Sequence, residues 1–185
     1  MNPYEEAGRA PSPKVRPPAV TGGRTAPHTE AELSTLLDLL TGGRARVRTV
    51  AVGHARDPAA RAAAEAFATA WQDMAGDVVA VVDWPEEAAS WLRAARRLTA
   101  GAPDAWVLSG APLGVAQLLR RLRHSTDWDP ARTYCFAGLG TPEVVRLAGA
   151  ETVDGLRGAA ADGGKWEMRR GWLTHFAPHA GAEES

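Results

Sequence analysis

The sequence predicts an α/β domain built on an open, doubly wound, mainly parallel sheet with helices on both faces. Three observations predict it. From residue 47 onward, short apolar runs alternate with amphipathic helical stretches, the pattern of successive β/α units. The runs 78–82 and 105–108 are continuously apolar, as strands buried on both sides must be. Small-residue turns lead directly from strand to helix, most clearly in "VLSGAPLGVAQLLRRLR" (107–123). Right-handed crossovers then favour the strand order 2-1-3-4, followed by weaker C-terminal strands.

Each element has a local reason. A first helix begins at "HTEAELSTLLDLLTGG": Thr29 and Glu32 have capping-box spacing, Leu33, Leu36, Leu37 and Leu40 share one face, and Gly42-Gly43 stops it. "VRTVAVG" (47–53) is the first strand. Asp57 caps the next helix, with Pro58 at its first position. Ala60, Ala64, Phe67, Trp71 and Ala75 form its apolar face. "DVVAVVDW" (77–84) is the second strand, and "PEEAASWLRAARRLTAG" the helix after it, with Ala88, Trp91, Leu92 and Ala95 inward. "DAWVLSG" (104–110) is the third strand and 112–123 the third crossover helix, burying Val115, Leu118, Leu119 and Leu122. "RTYCFAG" (132–138) is the fourth strand. Thr141, Pro142 and Gly149 cap, open and end a short helix. "ETVDGLRGA" and "KWEMRRGWL" read as short strands weakened by glycine.

The 185 residues suffice for one domain, placed at 28–176. Residues 1–27 hold six prolines and little apolar periodicity, so they and the tail 177–185 are expected to be disordered. The formal charge of −1 argues against a general nucleic-acid binder. Lys14 and Lys165 are the only lysines, an arginine bias read as genomic rather than functional. The single cysteine, Cys135, excludes an intramolecular disulfide and reads as a buried small hydrophobe. No secretory h-region and no membrane-length apolar run are visible. The expectation is a cytoplasmic protein that does not contact a membrane.

In such sheets ligands sit beyond the carboxyl ends of the strands. That selects the loops containing His54, Asp83-Trp84, Ser109-Gly110-Ala111 and Gly140-Thr141 as candidate ligand-binding residues. Helix N-termini there suit a small anionic or zwitterionic ligand. Dinucleotide and P-loop glycine motifs are missing, and Ser109 stands where a response regulator needs aspartate. No metal or cofactor is assigned, since Pro178 separates His175 from His179 and no cysteine–histidine cluster has zinc spacing. His54, Asp83 and Ser109 end three adjacent strands, so an Asp–His–Ser relay is conceivable. Against it, Asp83 and Glu86 have helix-capping spacing, and Ser109 lacks a G-x-S-x-G elbow. Trp84 reads either as a ligand-facing aromatic or as core. Trp71, Trp91 and Trp106 read as core.

The ordered series "VRTVAVG", "APDAWVLSG", "GVAQLLRRLR", "TYCFAGLG" and "VVRLAGAETVDGLRGA" resembles the second lobe of type 1 periplasmic-binding-protein-like domains, especially the branched-chain amino-acid receptor group. The resemblance implies a ligand-binding lobe. The first lobe of such receptors is not in the sequence, "HARDPAA" replaces their aromatic-glycine pair, and "GLGT" offers no acid for an ammonium group. The implied protein is a stand-alone, degenerate lobe used in sensing, regulation or protein contact. Trp166, Met168, Trp172 and Phe176 are the expected interface to a second copy or a dedicated partner. Three functions stay open: a non-enzymatic binding or regulatory module, an interaction subunit that has lost its ligand, and a small hydrolase or transferase using Ser109 and His54.

Overall fold

A computed structural model describes residues 24–43, 46–88 and 90–178. The expected terminal disorder at 1–23 and 179–185, and His179 with it, lies outside the described residues.

The sheet has the order β2-β1-β3-β4-β5-β6-β7. Its strands are β1 (Thr49–Ala55), β2 (Asp77–Trp84), β3 (Ala105–Ser109), β4 (Thr133–Cys135), β5 (Arg157–Ala159), β6 (Lys165–Arg169) and β7 (Trp172–Phe176). The first five are parallel, and β6 and β7 add as an antiparallel hairpin. The helices are α1 (Glu30–Thr41), α2 (Pro58–Asp73), α3 (Leu92–Thr99), α4 (Pro112–Ser125) and α5 (Pro142–Ala148).

Local chemistry sets most boundaries. Thr29 and Glu32 close a reciprocal capping box on α1. Asp57 accepts from the Ala60 amide at the start of α2. "KWEMRRGWL" is not one strand but a hairpin, because Arg170 and Gly171 both take positive φ (50° and 81°), the two-residue turn whose twist suits antiparallel strands.

Alternate residues of the strands feed two core clusters. Val50, Val52, Ala105, Val107 and Tyr134 pack against Leu36 and Leu40 of α1 and Phe67 and Trp71 of α2. Ala51, Val82, Trp84, Trp106, Leu108 and Cys135 pack against α3, α4 and α5 on the other face. Buried indoles are anchored by backbone acceptors: Trp106 Nε1 donates to the Leu98 carbonyl and Trp166 Nε1 to that of Ala159, each at 2.9 Å. Burial pushes the Cys135 thiol well above its ordinary range, so it is an inert core residue.

Three sequence expectations are corrected. The helix after β2 starts at Leu92, not Pro85, and Trp91 at its start makes no side-chain cap. Asp83 and Glu86 are therefore not a helix cap: Asp83 is in β2, and Glu86 turns toward the first turn of α4. Trp166 and Met168 are fully buried in the core, so of the four expected interface residues only Trp172 and Phe176 face outward. β6 alternates because one of its faces packs against the core and the other faces water.

Candidate functional site

The carboxyl edge of the sheet assembles the predicted loops. Register places His54 of β1 beside both Asp83 of β2 and Ser109 of β3. Gly110 sits where a Cβ would lie 3.1 Å from both Ala55 Cβ and Val115 Cγ2. Gly138 approaches the Gly110 carbonyl, so the loops after β3 and β4 are neighbours. A Cβ at Gly140 would lie 2.7 Å from the Trp166 indole, which is why only glycine fits there. Ala111 and Thr141 are the N-cap positions of α4 and α5, and neither makes a side-chain cap bond.

Most of these groups are covered. Ser109, Gly110, Ala111 and Gly140 are buried, and His54 is 6% exposed. The chain's own N-terminal segment is tied down near this edge. Thr25 Oγ1 donates to Asp57 at 2.9 Å, and the His28 ring meets Phe136 edge-on at 6.0 Å. Those anchors follow β1 and β4, which flank β3 in the sheet. Contact with the domain thus begins before the expected boundary at His28.

Trp84 is core. It is 1% exposed, and a Cβ at Gly53 would lie 2.8 Å from its ring. The ligand-facing reading of Trp84 is therefore corrected: the indole fills the space that Gly53 leaves under β1.

The Asp–His–Ser relay is not assembled. His54 Nδ1 lies 2.8 Å from the Ala55 carbonyl, which only accepts, so Nδ1 donates there and not to Asp83. Ser109 Oγ has no hydrogen-bond partner. Asp83 is engaged by Arg56, whose Nε donates at 2.5 Å and holds the carboxyl below its ordinary range. With both partners substantially exposed, that pair contributes little stability.

Among the described residues, four of the six buried side-chain polar atoms without a partner lie at this edge, the other two being Trp71 Nε1 and Arg157 Nε toward the amino end. Trp84 Nε1, Glu86 Oε1, Ser109 Oγ and Thr141 Oγ1 are buried without hydrogen-bond partners, and all four lie at the ends of strands or in the loops after them. Glu86, read from the sequence only as a capping partner of Asp83, belongs to this edge. Its Oε2 occupies space 2.5 Å from where a Cβ of Gly114 would be, so glycine in the first turn of α4 admits the carboxylate. Burial, reinforced by Asp57, raises its pKa, while the Gly114 and Ala111 amides pull the other way.

Two of the predicted residues reach open space. His54 and Asp83 line a groove of about 430 Å³ with Arg61, Glu65, Ala64, Ala68 and Val81. α2 supplies Arg61 and Glu65 one turn apart, above the exposed side of β2, where Val81 is 50% exposed. Among the described residues no three metal-ligating side chains cluster, and no helix is long and apolar enough to cross a membrane.

No protein-family model and no curated protein matches the sequence. Solved structures do share the fold. A substrate-binding periplasmic protein from Ralstonia solanacearum superposes with a TM-score of 0.61 at 19% identity, over 73% of this chain and 37% of that one. An extracellular ligand-binding receptor from Rhodopseudomonas palustris gives 0.61 at 18% identity, over 72% and 36%. A branched-chain amino acid ABC transporter periplasmic ligand-binding protein from Burkholderia xenovorans gives 0.54 at 12% identity, over 69% and 33%. The fold is that of one lobe of a type 1 periplasmic binding protein. This chain spans about a third of the length of those structures.

The expected cytoplasmic location is corrected by the same comparison. The structures that share the fold are described as periplasmic or extracellular, which points away from the cytoplasm. The missing h-region carries no weight for a chain that spans about a third of its neighbours' length.

Proposed function

We propose that this domain is a non-enzymatic module that binds a small zwitterionic ligand at the carboxyl end of β1 and β2. One observation carries the reading: the groove in which Arg61 stands with Asp83 and Glu65 above the apolar surface of Ala64, Ala68 and Val81. A cation and two anions over an apolar floor complement a molecule with an ammonium, a carboxylate and a hydrocarbon side chain. The transporter-associated name of the Burkholderia structure makes a branched-chain amino acid the first probe. A groove formed by one lobe encloses its ligand on one side only, so affinity for the isolated domain is expected to be weak.

We further propose, as a separate part of this reading, that the module works in an assembly. Support comes from β7, an edge strand on which Trp172 is 78% and Phe176 50% exposed. Aromatics at this exposure are typical interface anchors.

Calorimetric titration of the full chain with leucine tests the binding reading. Saturable binding weakened about tenfold or more by Arg61→Ala supports it. Absence of heat up to the solubility limit of leucine, and with glycine betaine as a second zwitterion, sinks it. Sedimentation of the parent and of Trp172→Ser tests the assembly. A parent that is monomeric at every accessible concentration, and that recovers no specific partner from its host, ends that part of the reading.

A further inference from the structure

Two of the three helices on the Trp106 face of the sheet, α3 and α4, carry an unbalanced charge. α3 holds Arg93, Arg96 and Arg97; α4 holds Arg120, Arg121, Arg123 and His124. Neither helix contains an aspartate or a glutamate. Among the described residues none of these six arginines makes an ion pair; the salt bridges there use Arg56, Arg132, Arg146 and Arg169. The chain as a whole is nearly neutral, at −1, so this concentration of cations is local rather than compositional.

Helix electrostatics explains part of it. Arg96, Arg97, Arg123 and His124 lie in the last turns, where cations meet the negative end of the helix dipole. Arg93 does not fit that account, because it is the second residue of α3, at the positive end. Nor does the dipole explain why no carboxylate offsets Arg120 and Arg121. Unpaired like charges on adjacent turns repel, a cost that a bound anion removes.

These side chains also border a concavity. A groove of about 600 Å³ runs between the start of α3 and the C-terminal half of α4, lined by Trp91, Gln117, Arg120, Arg121, Arg123, His124 and Thr152. Gln117, Arg120, Arg121 and His124 recur at helical spacing and so share one side of α4. Trp91 is half-buried and also borders a second groove holding Arg93 and Arg97. No acidic side chain lines the larger groove.

We propose that this groove is a binding site for a small ligand bearing two or more phosphate groups. Guanidinium forks match phosphate oxygens two at a time, and several converging forks suit clustered charges better than a single one. Gln117 and Thr152 supply neutral polar contacts, and Trp91 an aromatic wall. The volume is that of a small-molecule site. The site lies on the outer side of α3 and α4, on the face of the sheet opposite the α2 groove that holds Arg61, and stands independently of the zwitterion reading.

Inorganic tripolyphosphate and orthophosphate, titrated separately into the full chain, test the proposal. Tripolyphosphate is expected to bind with one-to-one stoichiometry, about tenfold or more tighter than orthophosphate, and to weaken as salt is added. Arg120→Ala/Arg123→Ala is expected to cost about tenfold or more in affinity, while both residues are exposed and their loss leaves the melting temperature unchanged. Arg46→Ala, at an exposed position before β1, is the control and should stay within about twofold. No saturable tripolyphosphate binding, or equal loss in the control and the double variant, overturns the assignment. Recovery of the chain on phosphatidylglycerol vesicles without tripolyphosphate binding also overturns it, and assigns the arginines to a lipid surface.

Discussion

Two carboxylates at opposite ends of the sheet, Asp104 and Glu86, are treated in opposite ways. At the amino end, Asp104 Oδ2 accepts from the Arg48 and Thr49 amides at 2.9 Å and from Thr49 Oγ1 at 3.0 Å, and the Asp104 amide returns a bond to Thr49 Oγ1. That carboxylate clamps the start of β1 to the start of β3. At the carboxyl end, Glu86, Ser109 and Thr141 keep buried oxygens without partners. The pKa directions follow. The Thr49 and Arg48 amides hold Asp104 below its ordinary value, whereas burial raises Glu86. Asp104 is fully engaged and Glu86 is not, although Trp71 Nε1 and Arg157 Nε toward the amino end also lack partners.

Substitution at Asp104 should show the largest effect. Asp104→Ala is expected to lower unfolding stability by about 2 kcal/mol, the scale of hydrogen bonds to a charged acceptor discounted for partial exposure. Urea denaturation measures it; a loss no greater than that of a typical surface substitution would erase the contrast.

Glu86→Gln should act more weakly and in the other direction, raising stability at neutral pH by under about 1 kcal/mol. pH separates the two ends. Asp104 has a lowered folded pKa, so its contribution is present above the unfolded value of about 3.9 and is lost as pH falls through the lower folded value. Glu86 has a raised folded pKa, so its penalty is absent below about 4.3 and grows as pH rises through the folded value. The advantage of Glu86→Gln should therefore vanish in acid. An advantage that persists there would show that packing, not charge, sets it.

Ser109→Ala should change stability least, by within about 0.5 kcal/mol, because it removes a hydroxyl that has no partner to lose. A loss above about 1 kcal/mol in thermal melts would mean that Oγ is satisfied in solution and that the carboxyl end is no different from the amino end.

The elements that the sequence made legible are those with local causes. The Thr29–Glu32 capping box, the Asp57-Pro58 helix start and the second strand at 77–84 all depend on residues within a turn or two of one another. Strand alternation and crossover handedness then carried the order 2-1-3-4. Of the candidate ligand-binding residues, His54 and Asp83 line a groove, and both stand at strand ends that periodicity makes readable. Asp104 and Glu86 were not, since their partners come from 55 residues upstream in β1 and from the first turn of α4. The arginines of α3 and α4 were visible as composition, yet the groove that gathers them exists only once the two helices pack side by side.

Thus the sequence by itself determined the α/β alternation, the helix caps, the placement of β1 to β4 and the loops at the carboxyl edge. All of these rest on periodicity and on backbone groups capped within a few residues. The tertiary structure decided which of those groups stay open. It turned Trp84, Trp166 and Met168 into core, buried Ser109, and placed Glu86 against the first turn of α4 rather than at the start of α3. The physical reason is that burial and hydrogen-bond satisfaction depend on atoms from distant elements, and no local pattern in one segment records where those atoms arrive.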